Sequence, residues 1–115
     1  MRNWESLKQR YLQDDLPIRL GNLASNLARI KSQSLFEVNY GLVENLLIES
    51  KFFIEWTAAE AEVEIAAELV QLQIQLSQWE SRLSQLWTDI DERQKLSEAS
   101  GLWSDKVLDW SGLLA

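Results

Sequence analysis

Apolar side chains recur along this chain at spacings of three and four, the period of an α-helix face. Trp4, Leu7 and Tyr11 set the first such face and predict a short helix over residues 3–13. Asp14-Asp15-Leu16-Pro17 ends it and opens the next, with an acidic cap and a proline in the first turn. Leu16, Leu20, Leu23, Leu27 and Ile30 then form an unbroken heptad stripe, which predicts a first long helix over residues 16–31. Ala24 and Ala28 beside the stripe allow a neighbour to approach closely. Gly21 within it costs about 1 kcal/mol relative to alanine.

Ser34-Leu35-Phe36-Glu37 matches a capping box and predicts the start of a second long helix. Its apolar residues fill two adjacent lines. Leu35, Leu42, Leu46, Phe53 and Trp56 make one; Phe36, Tyr40, Val43, Leu47 and Ile54 make the other. So wide an apolar arc predicts a central helix with more than one neighbour. Thr57-Ala58-Ala59-Glu60 is a second capping box and predicts a sharp turn near Trp56-Thr57.

A third helix follows, carrying Ala58, Ala61, Ile65, Leu69, Leu72, Leu76, Trp79, Leu83, Leu86 and Ile90 at steps of three or four. Val63, Ala67, Val70 and Ile74 widen the stripe in its first half only. The helix either runs to about Leu96 or breaks near Thr88-Asp89-Ile90-Asp91. The longer version spans roughly 58 Å, against roughly 27 and 34 Å for the first two long helices. Such an overhang needs cover from the end segments or from a second subunit. After Gly101, Trp103, Val107, Trp110 and Leu114 predict a short docking helix, with Ser104 as its cap.

Composition supports the helical reading. Leucine occurs 20 times, against 14 for valine, isoleucine and threonine together, and there is one proline. Straight-chain residues lose little rotamer freedom in a helix, whereas β-branched ones suit strands. The expectation is an all-α protein: an antiparallel bundle of three long helices, with short N- and C-terminal helices packed on it. At 115 residues the chain is one domain, residues 1–115.

The chain has no histidine and no cysteine. That excludes imidazole and thiol catalysis, disulfides, the usual zinc sites and the Glu-x-x-His motif of di-iron bundles. No apolar signal-like run follows Met1, and no stretch approaches the roughly 18 apolar residues of a membrane span. A cytoplasmic protein is expected, with no membrane partner and no cofactor.

Charge sharpens the picture. The net charge is -7, yet residues 1–34 hold six basic and three acidic side chains while residues 35–115 hold five and fifteen. Between Phe52 and Ser81 there are six glutamates and no lysine or arginine. The ordinary reading pairs the basic first segment with the acidic remainder; the sharper one is an acidic docking surface for a basic partner. Arg2, Lys8, Arg10, Arg19, Arg29 and Lys31 share no single helical face, so no nucleic-acid partner is expected.

Three constellations are candidates for function. Arg19, Asn22, Asn26 and Arg29 form a polar line beside the leucine stripe of the first long helix. Forked guanidinium groups with amides between them suit a carboxylate, a phosphate or a partner's backbone. Glu49 falls on an apolar line of the second helix, and a buried glutamate needs a cationic partner, for which Arg19 or Arg29 is the expected source. Glu60, Glu64 and Glu68, four apart, form a carboxylate ladder that suits magnesium and phosphate hydrolysis. All-α nucleotide pyrophosphatases use such glutamates, but as acids paired at spacing three on two helices, and this chain departs from that pattern. Finally, six tryptophans are many for this length; Trp4, Trp87 and Trp110, toward chain ends or stripe edges, suggest a partner surface.

The leading expectation is a non-catalytic helical interaction or regulatory protein, homodimeric or bound to another protein. The alternative is a magnesium-dependent nucleotide or phosphate hydrolase using the glutamate ladder.

Overall fold

Two serine hydroxyls bond across helices in the computed structural model, which describes residues 3–114. Ser97 Oγ donates to the Lys31 carbonyl at 2.7 Å, and Ser104 Oγ donates to the Ala24 carbonyl at 2.8 Å. Both belong to a seam between two of five α-helices. These are α1 (Trp4–Gln13), α2 (Leu16–Gln33), α3 (Tyr40–Thr57), α4 (Val63–Leu86) and α5 (Ile90–Ser111). Short 3-10 turns, Glu37–Asn39 and Ala58–Glu60, precede and follow α3. Arg2, of the basic first segment, lies outside the described residues.

The all-α antiparallel bundle is what forms. α2 packs on α3 and α5, α3 on α4, and α4 on α5, so the four long helices close a ring. Residue pairing gives their directions. On α2, positions 31 and 24 meet 97 and 104 of α5, so the numbering runs oppositely. Asn26 meets Glu49 and Arg19 meets Trp56, so α2 and α3 are antiparallel as well. The heptad stripe fills the centre: Leu20, Leu23, Leu27 and Ile30 are fully buried against Val43, Leu47, Leu69, Leu72 and Leu76. Burying each such side chain contributes roughly 1.5–3 kcal/mol. α3 is touched by α1, α2 and α4, as its wide apolar arc requires.

The helix ends differ from the local motifs in informative ways. α1 and the start of α2 fall where Asp14-Asp15-Leu16-Pro17 places them, with Asp15 as N-cap and Pro17 in the first turn. Neither expected capping box forms. Ser34 is buried at the end of α2 and donates back to the Ile30 carbonyl, so Leu35 and Phe36 lie in an exposed loop and α3 starts at Tyr40. The Thr57 hydroxyl bonds to Tyr11, so α4 starts later, after Glu62.

The third stretch takes the broken form. α4 ends at Leu86, and Asp89 caps α5 by accepting from the Asp91 amide. The longest axis of the molecule is therefore 38 Å, and the roughly 58 Å rod with its overhang does not arise. In contrast to the expected short terminal helix, α5 runs without a break through Gly101. Gly101 marks close approach rather than a helix end: a Cβ there would lie 2.8 Å from Lys31 Cδ. Ser104, read as a cap, instead bonds across to α2. The helix stops at Gly112, whose φ of 73° is left-handed and suits glycine. No helix among the described residues is long and apolar enough to cross a membrane.

The seam makes a graded prediction. Ser104→Ala removes one buried hydrogen bond and should cost about 1 kcal/mol. Ser104→Leu adds bulk where the helices touch and should cost roughly 3 kcal/mol. Denaturant midpoints measure both, and equal losses would show that the seam has room to spare.

Candidate functional site

The polar line of α2 is divided by its own helix geometry. Arg19 is buried. Its Nε donates to the Asp14 carbonyl at 3.0 Å, and one terminal nitrogen reaches the Trp56 carbonyl and the Glu60 carboxylate. Two turns further along, Asn26 is buried and its Nδ2 donates to Glu49 Oε1 at 3.1 Å. Asn22 between them is half-buried, and Arg29 is exposed. The four residues thus share an edge of α2, but two face into α3 and the last faces solvent.

The source expected for Glu49 changes accordingly. Glu49 is buried, and the amide of Asn26 donates to it. Arg19 sits opposite the C-terminal end of α3, where Glu60 engages it instead. The antiparallel register decides this, because it puts Asn26 and not Arg19 level with Glu49.

Around Arg19 a polar joint ties four segments together. The Tyr11 hydroxyl donates to the Arg19 carbonyl at 3.1 Å and lies 2.7 Å from Thr57 Oγ1. Its ring stacks on Phe53 with centroids 4.2 Å apart. The hydrogen bond from Arg19, with its charge, holds the Glu60 carboxyl below its ordinary pKa, and the same bond raises that of Arg19. Burial pushes the Tyr11 phenol up to about 12, against the opposing pull of the Thr57 bond and the Arg19 charge. The arrangement is structural in character: every group in it is bonded to another part of the same chain.

The carboxylate ladder does not assemble. Glu60 lies in the 3-10 turn before α4 and is turned to Arg19, while Glu64 sits exposed in the first turn of α4. Glu68 lies 3.7 Å from Lys106 of α5. Spacing of four aligns carboxylates only within one continuous helix, and the helix begins after Glu60. Among the described residues no group of three acidic side chains could hold a metal ion.

The three tryptophans are not one surface. Trp4 is half-buried, with its ring 4.7 Å from that of Phe52. Trp110 is partly buried against the core. Trp87, expected near a surface, is buried: its Nε1 donates to the Glu37 carbonyl at 2.7 Å, Tyr40 meets it edge-on, and Arg93 lies over its ring. The reason is the α4–α5 break, which folds Trp87 inward against the α2–α3 connection.

Two other features stand out. Val63, Ala67, Val70 and Ile74 are all exposed on the outer side of α4. A groove of about 390 Å³ between α3 and α4 is lined by Ile48, Lys51, Phe52, Glu55, Gln73 and Glu80. By sequence Val63, Ala67, Val70 and Ile74 widen the core stripe; in the helix they lie instead on the side opposite the buried Leu69, Leu72 and Leu76. The groove was not visible in the sequence, because its residues are spread over two helices with no common period.

Searches against family models, curated proteins and solved structures returned no match to this chain. What the structure defines is a class: a small antiparallel α-bundle with an unpartnered aliphatic face and a mixed polar groove.

The joint predicts stability changes at both ends of the pH scale. Because the Glu60 carboxyl titrates lower when folded, its pairing stabilises above the ordinary carboxylate pKa and is lost as pH falls through the lowered value. Glu60→Gln should be less stable at neutral pH, with a shallower loss on acidification. The Tyr11 phenol is raised, so its contribution is intact below pH 10 and lost as pH rises toward 12. Tyr11→Phe should flatten that alkaline decline. Thermal melts across pH test both, and unchanged slopes would contradict the assignment.

Proposed function

We propose that this chain is a non-catalytic helical interaction protein that pairs with a second copy of itself through the outer face of α4. One observation carries the reading. Val63, Ala67, Val70 and Ile74 recur at four, three and four, on the side of α4 opposite its core line Ile65, Leu69, Leu72 and Leu76. Val63 is 82% exposed, Val70 51% and Ile74 49%. Scattered surface aliphatics are ordinary, but an aligned heptad line is the pattern of a helix–helix seam.

The line is self-complementary in an antiparallel register. Val63 then faces Ile74 of the second copy, and Ala67 faces Val70. Glu64 shares a flank of this line with Gln71 and Gln75, and the antiparallel pairing brings those amides of the second copy beside it, so acids meet amides rather than acids. The seam is short, so the contact belongs at the weak end of interfaces, below about 1,200 Å² of buried surface. A non-catalytic role is supported by a sequence without imidazole or thiol and by the dispersal of Glu60, Glu64 and Glu68.

Sedimentation equilibrium should find a dimer population that grows with concentration. Val70→Asp should abolish it while leaving the melting temperature nearly unchanged, because the site is exposed. The chain has no cysteine of its own, so Ala67→Cys with Val70→Cys should yield a covalent dimer on mild oxidation. A monomer at the highest attainable concentration, or a dimer indifferent to Val70→Asp, would sink the proposal.

A further inference from the structure

The groove between α3 and α4 has a donor–acceptor imbalance that the proposed dimer does not use. Lys51 and Glu80 span it as an ion pair, with Lys51 Nζ 2.9 Å from Glu80 Oε1. Two acceptors remain. Gln73 Oε1 is buried, and no group among the described residues donates to it. Glu55 is exposed and makes no ion pair among the described residues. A buried acceptor left without a donor costs about 1–3 kcal/mol.

The remaining wall is apolar. Phe52 and Ile48 line the groove, and the Phe52 ring is fixed by Trp56, stacked at 5.4 Å, and by Trp4 at 4.7 Å. An apolar wall beside a carboxylate suits an alkylammonium, whose methylenes can lie on the wall while its charged head meets the carboxylate. The groove's volume lies within the usual small-ligand range of roughly 300–1,000 Å³.

We propose that this groove binds a primary alkylammonium group, its head donating to Glu55 and Gln73 Oε1 and its methylenes lying along Ile48 and Phe52. The ammonium supplies three donors and a charge to the two acceptors left without donors, Glu55 and Gln73 Oε1. An anion would meet Glu55 unprotected, because the Lys51 charge is already engaged by Glu80. A divalent metal asks for six or more oxygens, and no trio of acids converges on the groove. The same head group occurs on free diamines and on lysine side chains of other proteins. The groove is built within one chain, so this inference stands or falls apart from dimerisation.

Calorimetric titration at fixed ionic strength tests it, with 1,5-diaminopentane and Nα-acetyl-lysine methylamide as probes and 1-pentanol as the uncharged control. Saturable one-to-one binding of at least one amine is expected, weakened about tenfold by Glu55→Gln and by Gln73→Leu. The tighter of the two amines identifies the source. Unfolding midpoints of both variants check that the fold is intact. Absence of saturable binding by either amine overturns the proposal, as does binding undiminished by either substitution or matched by 1-pentanol.

Discussion

The closeness of α2 to α5 is the constraint on which the bundle depends. Serine hydroxyls reach carbonyls of another helix only where the two backbones nearly touch, and here this happens twice. The bonds fall seven residues apart on each helix, from Ser97 to Lys31 and from Ser104 to Ala24. A heptad on both sides keeps one seam facing inward throughout. Small residues make the approach possible: Ala24 on α2, and Ser97, Ser100, Gly101 and Ser104, all buried, on α5. α2 and α5 are the first and last of the four long helices, so their union closes the ring. It also seals Leu23, Leu27 and Ile30 from water on the side that α3 leaves open.

At the end of the bundle where α3 stops, a second device secures the connections. Tyr11, Arg19, Thr57 and Glu60 come from α1, α2, the last turn of α3 and the link to α4, and each is bonded to another of the set. At the opposite end, Trp87 hydrogen-bonds the Glu37 carbonyl and so ties the α4–α5 turn to the α2–α3 loop. Side chains with long reach thus do at the ends what small ones do along the seam.

Why some of this was readable beforehand follows from which residues carry period. Apolar spacing disclosed α1 and α2, because burial of large side chains dominates the energy and repeats every three or four residues; the same spacing runs on through Ile90, so it left the break near Thr88 as one of two alternatives. Ser97, Ser100 and Ser104 repeat too, but serine at helical spacing is ambiguous between a solvated face and a tight seam. Local capping motifs misled for a related reason. Thr57 and Glu60 had tertiary partners that offered a buried or charged bond in place of a solvent-exposed cap, and Ser34 bonded back to the Ile30 carbonyl of its own helix instead of opening the next one. The partner of Glu49 depended on the antiparallel register of α2 and α3, which no single-helix pattern contains. The groove was hidden likewise, since Gln73 and Phe52 become neighbours only when α3 meets α4.

The charge asymmetry acquires a structural meaning. Ion pairs link Arg19 to Glu60, Lys51 to Glu80 and Lys106 to Glu68, and every one of these cations comes from outside the stretch between Phe52 and Ser81. Neighbouring segments therefore neutralise part of the glutamate-rich stretch and leave Glu55, Glu62 and Glu64 uncompensated by these pairs. The Lys51 and Lys106 pairs lie toward the surface and contribute about 0–1 kcal/mol each, so outside the Arg19 joint the imbalance is not a device for stability. It sets instead what α4 can meet on its two free sides. On its outer face the proposed dimer uses a register that sets amides against acids. On its flank lies the proposed ammonium site, and pairing two chains of net charge -7 would deepen the negative potential that concentrates cations there. The proposed dimer and the proposed ammonium site are thus separate in geometry yet favourably coupled through the field they share. That coupling weakens with salt, as screening between exposed charges requires.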